Sequence, residues 1–358
     1  MSRPTVLIFH LPARSGDAAL VRTLADVRGQ LVERQAAMFR SAGAHVRVSS
    51  EWHAGLTFGE LLARTAPASG GLIVLGSGAV PLLGRRDAAR LVAIAAAGQR
   101  RALTNNRYSS DICAIGQAEA LAALPPLPSD NTLPRWLEER AGYEVAELAG
   151  RERLSLDLDT PLDIALAALA TAPAWLRRAA AAADLRVPRL EQLRALASDP
   201  HRELIVFGRS GSPVLRWLER NVRCRVRFLA EERGLRAASP LAIGGPPAAA
   251  RRPPRATLGR LLDARGPDAL AAVVAELGDG AVIDTRVLMA DRHGADETAW
   301  PAPPDRFASD LHRADEIADP WLRQLTRAAA GAVAPIVLGA HTLVGPGVRL
   351  MLGRRPAG

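Results

Sequence analysis

Three carboxylates fall close together in Leu156-Asp157-Leu158-Asp159-Thr160-Pro161-Leu162-Asp163-Ile164. Asp157 and Asp159 are two residues apart after an apolar run, so a strand end would turn both to one side. Thr160 and Pro161 then open a helix, since threonine is a favoured N-cap and proline a favoured first helical residue. Paired carboxylates beside the positive end of a helix suit Mg²⁺, which takes a few carboxylate oxygens and completes its shell with water or phosphate. The same residues also suit a structural role, with Asp159 and Thr160 capping the helix and Asp163 complementing its dipole.

The elements that must position these residues read as α/β. Short apolar runs alternate with longer helical patterns in both halves of the chain. Thr5–Phe9 is a continuous apolar run suited to a strand covered on both faces. Leu20, Leu24, Val27, Leu31 and Met38 recur at helical spacing within residues 18–42, and Gly43 closes that helix. Residues 45–48 read as a strand, 57–64 as a short helix, and 71–75 as the strongest strand. This last runs into Gly76-Ser77-Gly78-Ala79-Val80-Pro81, with a helix following near Asp87. Residues 154–158 read as the last strand before a helix at 162–170. The expected organisation is a first domain at 1–170, a helical connection at 171–202 and a second, smaller α/β domain at 203–358. In the second domain the pattern gives strands at 203–207, 225–229, 281–288 and 335–338, and helices at 213–221, 258–277 and 319–330. Residues 237–256 read as an exposed loop, and 305–312 as a lid or a solvated helix.

Composition removes several classes of chemistry. The 358 residues are 48% hydrophobic and 23% charged, the proportions of a folded protein with room for two domains. All 46 basic residues are arginine, which excludes a Walker-A lysine, a Schiff-base lysine and a lysine general base. Cys113 and Cys224 exclude a disulfide framework and a cysteine-rich zinc site. The histidines form no zinc-protease pattern, and no G-x-S-x-G elbow occurs. Of the net charge of +9, +8 sits in residues 171–358, where 28 arginines face 20 acids, against 18 and 17 in residues 1–170. Those arginines are interleaved with acids, and the densest basic stretch, 251–255, is broken by two prolines. No specific nucleic-acid partner is therefore expected. With no signal-like or bilayer-length apolar run, the expectation is a cytoplasmic protein without a membrane partner.

In a parallel sheet ligands gather beyond the carboxyl ends of the strands, so residues that follow each apolar run carry the chemistry. In the first half these are 10–17, 76–81, 105–111, 129–131 and 157–163. Taken in that order, they resemble the MobA-like nucleotidyltransferases, which include molybdenum-cofactor and 2-phospho-L-lactate guanylyltransferases. Asp-x-Asp-Thr-Pro-x-Asp-Ile at 157–164 is similar to the carboxyl-terminal signature of that family. Residues 71–83 resemble its central strand, which ends in an Asp-x-Pro metal motif, and 103–115 resemble its acceptor-contacting segment. Ser129-Asp130-Asn131 is similar to an acceptor-side turn. The resemblance covers residues 1–170 and implies a nucleotide-diphospho-sugar-transferase-like (GT-A-type) sandwich. It implies Mg²⁺ on Asp157 and Asp159, and nucleotide phosphates against Arg14, Ser15, Gly16, Gly76, Ser77 and Gly78. A small phosphorylated acceptor would lie against Asn105, Asn106, Ser109 and Asp130.

Two departures stand against this. The loop Leu11-Pro12-Ala13-Arg14-Ser15-Gly16-Asp17 has one glycine, one arginine and no lysine, a poor phosphate cradle. Ala79 stands where the family carries the aspartate of Asp-x-Pro, and alanine ligates no cation. Asp111 and Asp130 are the candidate substitutes. Two functions follow: Mg²⁺-dependent transfer of a nucleoside monophosphate from an NTP to a phosphorylated acceptor, or a catalytically inactive domain that binds a nucleotide or metabolite or scaffolds a partner.

The second half offers a Rossmann-like candidate of its own. The strand at 203–207 runs into Gly208-Arg209-Ser210-Gly211-Ser212-Pro213 and a helix, a layout that presents N–H groups to a phosphate. Glu231 and Glu232 follow the next strand, where an acid takes a ribose hydroxyl. The alternative is a tight turn with the helix capped by Ser212. Asp284 and Arg286 read as an ion pair on one side of a strand, and His341 follows the last strand.

Overall fold

The structure, a computed structural model, describes residues 3–51, 56–127, 129–150, 152–170, 173–231 and 254–353. The chain divides into two compact units, one of residues 1–17 and 22–159 and the other of residues 18–21 and 160–358. The boundary thus falls at 159/160, eleven residues before the expected one at 170/171. Residues 171–202 belong to the second unit, which is the longer of the two although its sheet is smaller.

The first unit is built on a six-stranded sheet of β1 (Thr5–Phe9), β2 (His45–Ser49), β3 (Leu72–Gly76), β4 (Arg101–Thr104), β5 (Ile112–Ile115) and β6 (Glu144–Glu147). The spatial order is β2-β1-β3-β5-β4-β6. All neighbours are parallel except β5, which runs against both β3 and β4. Helices α1 (Ala19–Ser41), α2 (Phe58–Thr65), α3 (Arg85–Ala96) and α4 (Leu133–Glu139) complete it.

The continuous apolar runs follow from cover on both faces. Val6, Ile8, Ile73 and Leu75 join one core with Val32, Phe39 and Leu91. The alternate residues Leu7, Leu72 and Val74 join a second core with Phe58, Leu62 and Leu137. A strand buried on both sides has no solvent face to encode, so its alternation disappears from the sequence.

The expected strand at 154–158 is instead a 3₁₀ turn at Arg153–Ser155 followed by a single antiparallel bridge between Ala79 and Asp157. With few backbone partners nearby, the apolar residues Leu154, Leu156 and Leu158 are buried without a strand. The helix expected at Asp87 starts at Arg85, and Gly43 does close α1, with φ of 97°.

The second unit opens with α5 (Pro161–Ala168), α6 (Ala174–Ala182) and α7 (Leu190–Ala197). α5 begins as the sequence indicates. Thr160 Oγ1 accepts from the Asp163 N–H at 3.3 Å, and the Asp163 carboxylate accepts from the Thr160 N–H at 2.7 Å. Next come β7 (Glu203–Gly208), α8 (Ser212–Asn221), β8 (Arg225–Ala230), α9 (Thr257–Arg265) and α10 (Leu270–Leu277). β9 (Gly280–Asp284), α11 (Thr285–His293), α12 (Pro303–Asp310), α13 (Pro320–Gly331), β10 (Ile336–Gly339) and α14 (Val348–Leu352) follow. The four strands form a parallel sheet in the order β10-β9-β7-β8.

Three expectations are corrected here. The strand at 281–288 stops at Asp284, whose side chain accepts from the Arg286 N–H at 3.1 Å and starts α11. The helix at 258–277 is broken at Gly266-Pro267, because Gly266 has φ of 91° and proline has no N–H to continue the ladder. Residues 305–310 lie in α12 with Asp305, Phe307, Ala308, Ser309 and Asp310 buried, so the segment is a packed helix and no lid. Glu232 and most of the expected loop at 237–256 lie outside the described residues. No described helix is long and apolar enough to cross a membrane.

Candidate functional site

The reversed strand β5 decides what meets at the edge of the first sheet. Its register sets Ile112 opposite Leu75, so the residue before it, Asp111, arrives where β3 ends. β1 and β3 end together, with Phe9 opposite Gly76, and His10 and Ser77 follow. The Ala79–Asp157 bridge brings the 157–159 segment to the same edge.

A cleft of about 300 Å³ opens there. It is lined by Asp111, Asp130, Asp157 and Asp159, by His10, Leu11 and Arg28, and by the turn Gly76-Ser77-Gly78-Ala79. A second lobe of about 170 Å³ shares Phe9, Gly76, Asp111 and Asp130 with it. That lobe has apolar walls that include Phe58, Val74 and Leu133.

The turn after β3 is built for close approach. A Cβ on Gly78 would stand 2.9 Å from the Leu158 carbonyl and 3.0 Å from both Arg28 Nε and an Asp157 carboxylate oxygen. Val80, a fully buried β-branched residue, is held at φ of 45°. That conformation costs about 1–3 kcal/mol and is maintained by its surroundings, a feature that clusters at functional sites. Buried Gln35 reaches this turn from α1, donating to the Ala79 carbonyl at 2.7 Å.

The carboxylates are charged against each other. Burial, then the charges of Asp159 and Asp111, hold Asp157 well above the usual carboxylate range. Burial pushes Asp111 up to about 7, with Asp130 and Asp159 adding to the rise and a hydrogen bond from Asn105 opposing it. Asp130 is pushed up to about 6, again chiefly by burial. Two basic residues, His10 and Arg28, line the cleft. His10 is shifted below its ordinary value by burial and by Arg28, so its imidazole is neutral near pH 7. Arg28 donates from Nε to the Leu158 carbonyl at 2.6 Å and from Nη2 to Asp159 Oδ1 at 3.0 Å.

The sequence-derived residues divide sharply. Asp157, Asp159, Gly76, Ser77, Gly78 and Asp130 line the cleft, as do Asp111 and Ala79. Arg14, Ser15 and Gly16 do not; all three are exposed, and the Arg14 N–H is taken by the Asp17 carboxylate at 2.8 Å. Asn105 does not line the cleft either. It is fully buried, donating to Asp111 at 2.6 Å and to the Leu154 carbonyl at 2.8 Å while accepting from the Asp111 N–H at 3.0 Å. Its role is to fix Asp111. Asn106 accepts from the Tyr108 N–H, and Ser109 bonds Asn131 at 2.9 Å. Arg28 was not singled out by sequence; only its position on the inward side of α1, one turn below Val32 of the core, marks it.

The second unit's turn is occupied by its own contacts. Arg209 is drawn to buried Asp284, Nε at 3.3 Å, and the Ser210 hydroxyl donates to the Val344 carbonyl at 2.5 Å. Gly208 has φ of 130°, and a Cβ there would stand 2.2 Å from the Asp284 side chain. Gly211, not Ser212, is the N-cap of α8, and Glu231 accepts from the Thr257 N–H at 3.1 Å. Arg286 pairs with Asp310 and not with Asp284, its Nη2 donating to Oδ2 at 2.8 Å. α11 starts at Thr285, which takes the Arg286 side chain off the line of the strand. His341 lies just after β10, half-buried.

Among the described residues no group of three or more His, Cys, Asp or Glu side chains is already arranged around a metal position. Oxygen donors alone, with one or two carboxylates and the rest left to water and phosphate, are nonetheless the donor set that Mg²⁺ takes. The chain matches no family model, no curated protein and no solved structure.

Proposed function

We propose that the first unit is a GT-A-type, MobA-like domain whose cleft binds a nucleoside triphosphate with Mg²⁺ and transfers its nucleoside monophosphate to a small phosphorylated acceptor. The observation that carries this reading is the convergence of Asp157, Asp159, Asp111 and Asp130 with the Gly76–Ala79 turn on one cleft. Ala79 bridges directly to Asp157, so the missing family carboxylate would have stood at this place. Asp111, carried in by the reversed strand, adds a further carboxyl group to the same cleft.

Asp157 and Asp159 would hold Mg²⁺, which supplies neutralisation of the phosphate charge that develops during displacement. In the transfer an acceptor phosphate oxygen forms a bond to the α-phosphorus while the bond to the bridging oxygen breaks and pyrophosphate leaves. The chain's own part is positioning. Gly76 and Gly78 let phosphates approach backbone N–H groups without a side chain in the way. Asn105 holds Asp111 in place, and Asp130 and Asp111 stand at the passage between the two lobes. Neutral His10, lining the same cleft, is the candidate proton acceptor for the acceptor phosphate.

One observation favours the second reading, a binding domain without turnover: the loop at 11–17 contributes only Leu11 to the cleft. Thermal shifts with GTP, CTP and ATP, each with and without Mg²⁺, separate the cases. Stabilisation that requires Mg²⁺ and is lost in Asp157→Ala or Asp159→Ala supports the proposal, and pyrophosphate release in the presence of a phosphorylated acceptor completes it. Stabilisation indifferent to Mg²⁺ supports binding alone. No response to any nucleotide removes both.

A further inference from the structure

A triphosphate entering a cleft with four aspartates needs positive charge beyond one divalent ion, and the chain is short of sources. It has no lysine, Arg14 is exposed outside the cleft, and His10 is neutral. Among the described residues Arg28 is the one arginine that lines the cleft. We propose that Arg28 is the phosphate-binding cation of this site, supplied from α1 in place of the basic group that the loop after β1 lacks. The inference rests on the nucleotide reading above and names the residue that would recognise the phosphate chain.

The geometry is that of an anchored and only partly used guanidinium. Nε and Nη2 are committed to the Leu158 carbonyl and Asp159, and Nη1 makes no hydrogen bond among the described residues. The side chain is 29% exposed, so it is neither sealed in nor free in solvent. Gly78 leaves room for it, since a Cβ there would come within 3.0 Å of Nε. A planar guanidinium fixed on two of its donors loses little freedom when the remaining N–H groups meet phosphate oxygens, which is why arginine suits such sites. The contact with Asp159 also ties the phosphate cation to a candidate metal ligand.

The test is calorimetric titration of the full chain with inorganic triphosphate and with the nucleotide that stabilises it, both in excess Mg²⁺, alongside the corresponding nucleoside monophosphate. Loss of one charged hydrogen-bonding group predicts triphosphate binding weaker by about 10- to 100-fold in Arg28→Gln, with the monophosphate affected less. Arg28→Lys, which keeps a cation but not the fork, recovers part of the loss. A residue that merely anchors the 157–159 segment would weaken all three ligands equally, and lysine would not rescue it; that result overturns the proposal, as does wild-type affinity in Arg28→Gln. Protection of wild-type Arg28 from phenylglyoxal by Mg²⁺ and inorganic triphosphate, mapped by mass spectrometry, gives the same answer if a variant fails to fold. Unchanged modification of Arg28 under saturation is evidence against it. Wild-type protein that binds no triphosphate at all shows instead that the nucleotide reading itself is wrong.

Discussion

Replacing Asp111 by asparagine should stabilise the metal-free protein, and only above acid pH. Burial, with repulsion from Asp130 and Asp159, raises this carboxyl from 3.8 to about 7 in the folded state. The folded protein therefore holds more protons than the unfolded chain between those values, and stability falls as pH rises through the window. About three pH units correspond to roughly 4 kcal/mol at most, at about 1.4 kcal/mol per unit. Partial solvation of the cleft brings the expected cost to about 2 kcal/mol. Asparagine removes the charge while its carbonyl oxygen still accepts the 2.6 Å bond from Asn105. Urea unfolding of both proteins in EDTA should show little difference near pH 4 and a gain of about 2 kcal/mol for Asp111→Asn at pH 7.5. Adding Mg²⁺ at pH 7.5 should narrow the gap by stabilising the wild type. A variant that is less stable at pH 7.5, or a difference of equal size at both pH values, would refute the claim that burial, helped by the neighbouring carboxylates, raises Asp111 in the folded protein.

Further outcomes concern the second unit. Burial pushes His312 down to about 4, and Nε2 has no hydrogen-bond partner among the described residues, so the ring is neutral when folded. Its folded value lies below the unfolded one, so stability should be complete above about pH 6.5 and fall by about 1–3 kcal/mol as pH drops to 4. His312→Asn should flatten that slope in a pH series of urea unfolding curves. Arg286→Met leaves Asp310 buried without its partner and should cost about 3–5 kcal/mol, while Arg286→Met with Asp310→Leu should recover most of it. If the double variant is no more stable than the single one, charge burial is not the cause. Gly208→Ala places a methyl against Asp284 at positive φ and should destabilise by more than about 2 kcal/mol in thermal unfolding.

The strands were legible where cover on both faces left an apolar run, as in β1, β3 and β7, and Thr160 with Pro161 was legible as a helix start, though the reciprocal bond to the Asp163 carboxylate was not. Boundaries failed where the local signal was continuous. The run from Ala281 to Leu288 contains no breaker, and the switch from β9 to α11 depends on Asp284 turning its side chain back to an N–H. Half of the site could be read locally, because Asp157 and Asp159 share one short segment just before the helix start at Thr160, although the strand expected there is only a single bridge. Asp111 could be named but not placed, since its arrival depends on β5 running antiparallel, a fact of tertiary pairing. Arg28 is one of 46 arginines, and nothing in its neighbours distinguishes it until α1 packs on the sheet. For the loop at 11–17 the residue types, a poor phosphate cradle, were the better guide than the resemblance that put phosphates against Arg14: Asp17 uses the Arg14 N–H for a turn.

The most direct measurement of the central claim is a Mn²⁺ titration, with Mn²⁺ in place of Mg²⁺, followed by electron paramagnetic resonance in the presence of the stabilising nucleoside triphosphate. One bound ion per chain is expected, with its affinity raised by the nucleotide and lost when Asp157 and Asp159 are both changed to asparagine. Mn²⁺ that stays free at every nucleotide concentration, or that binds equally well to the doubly substituted protein, would contradict it.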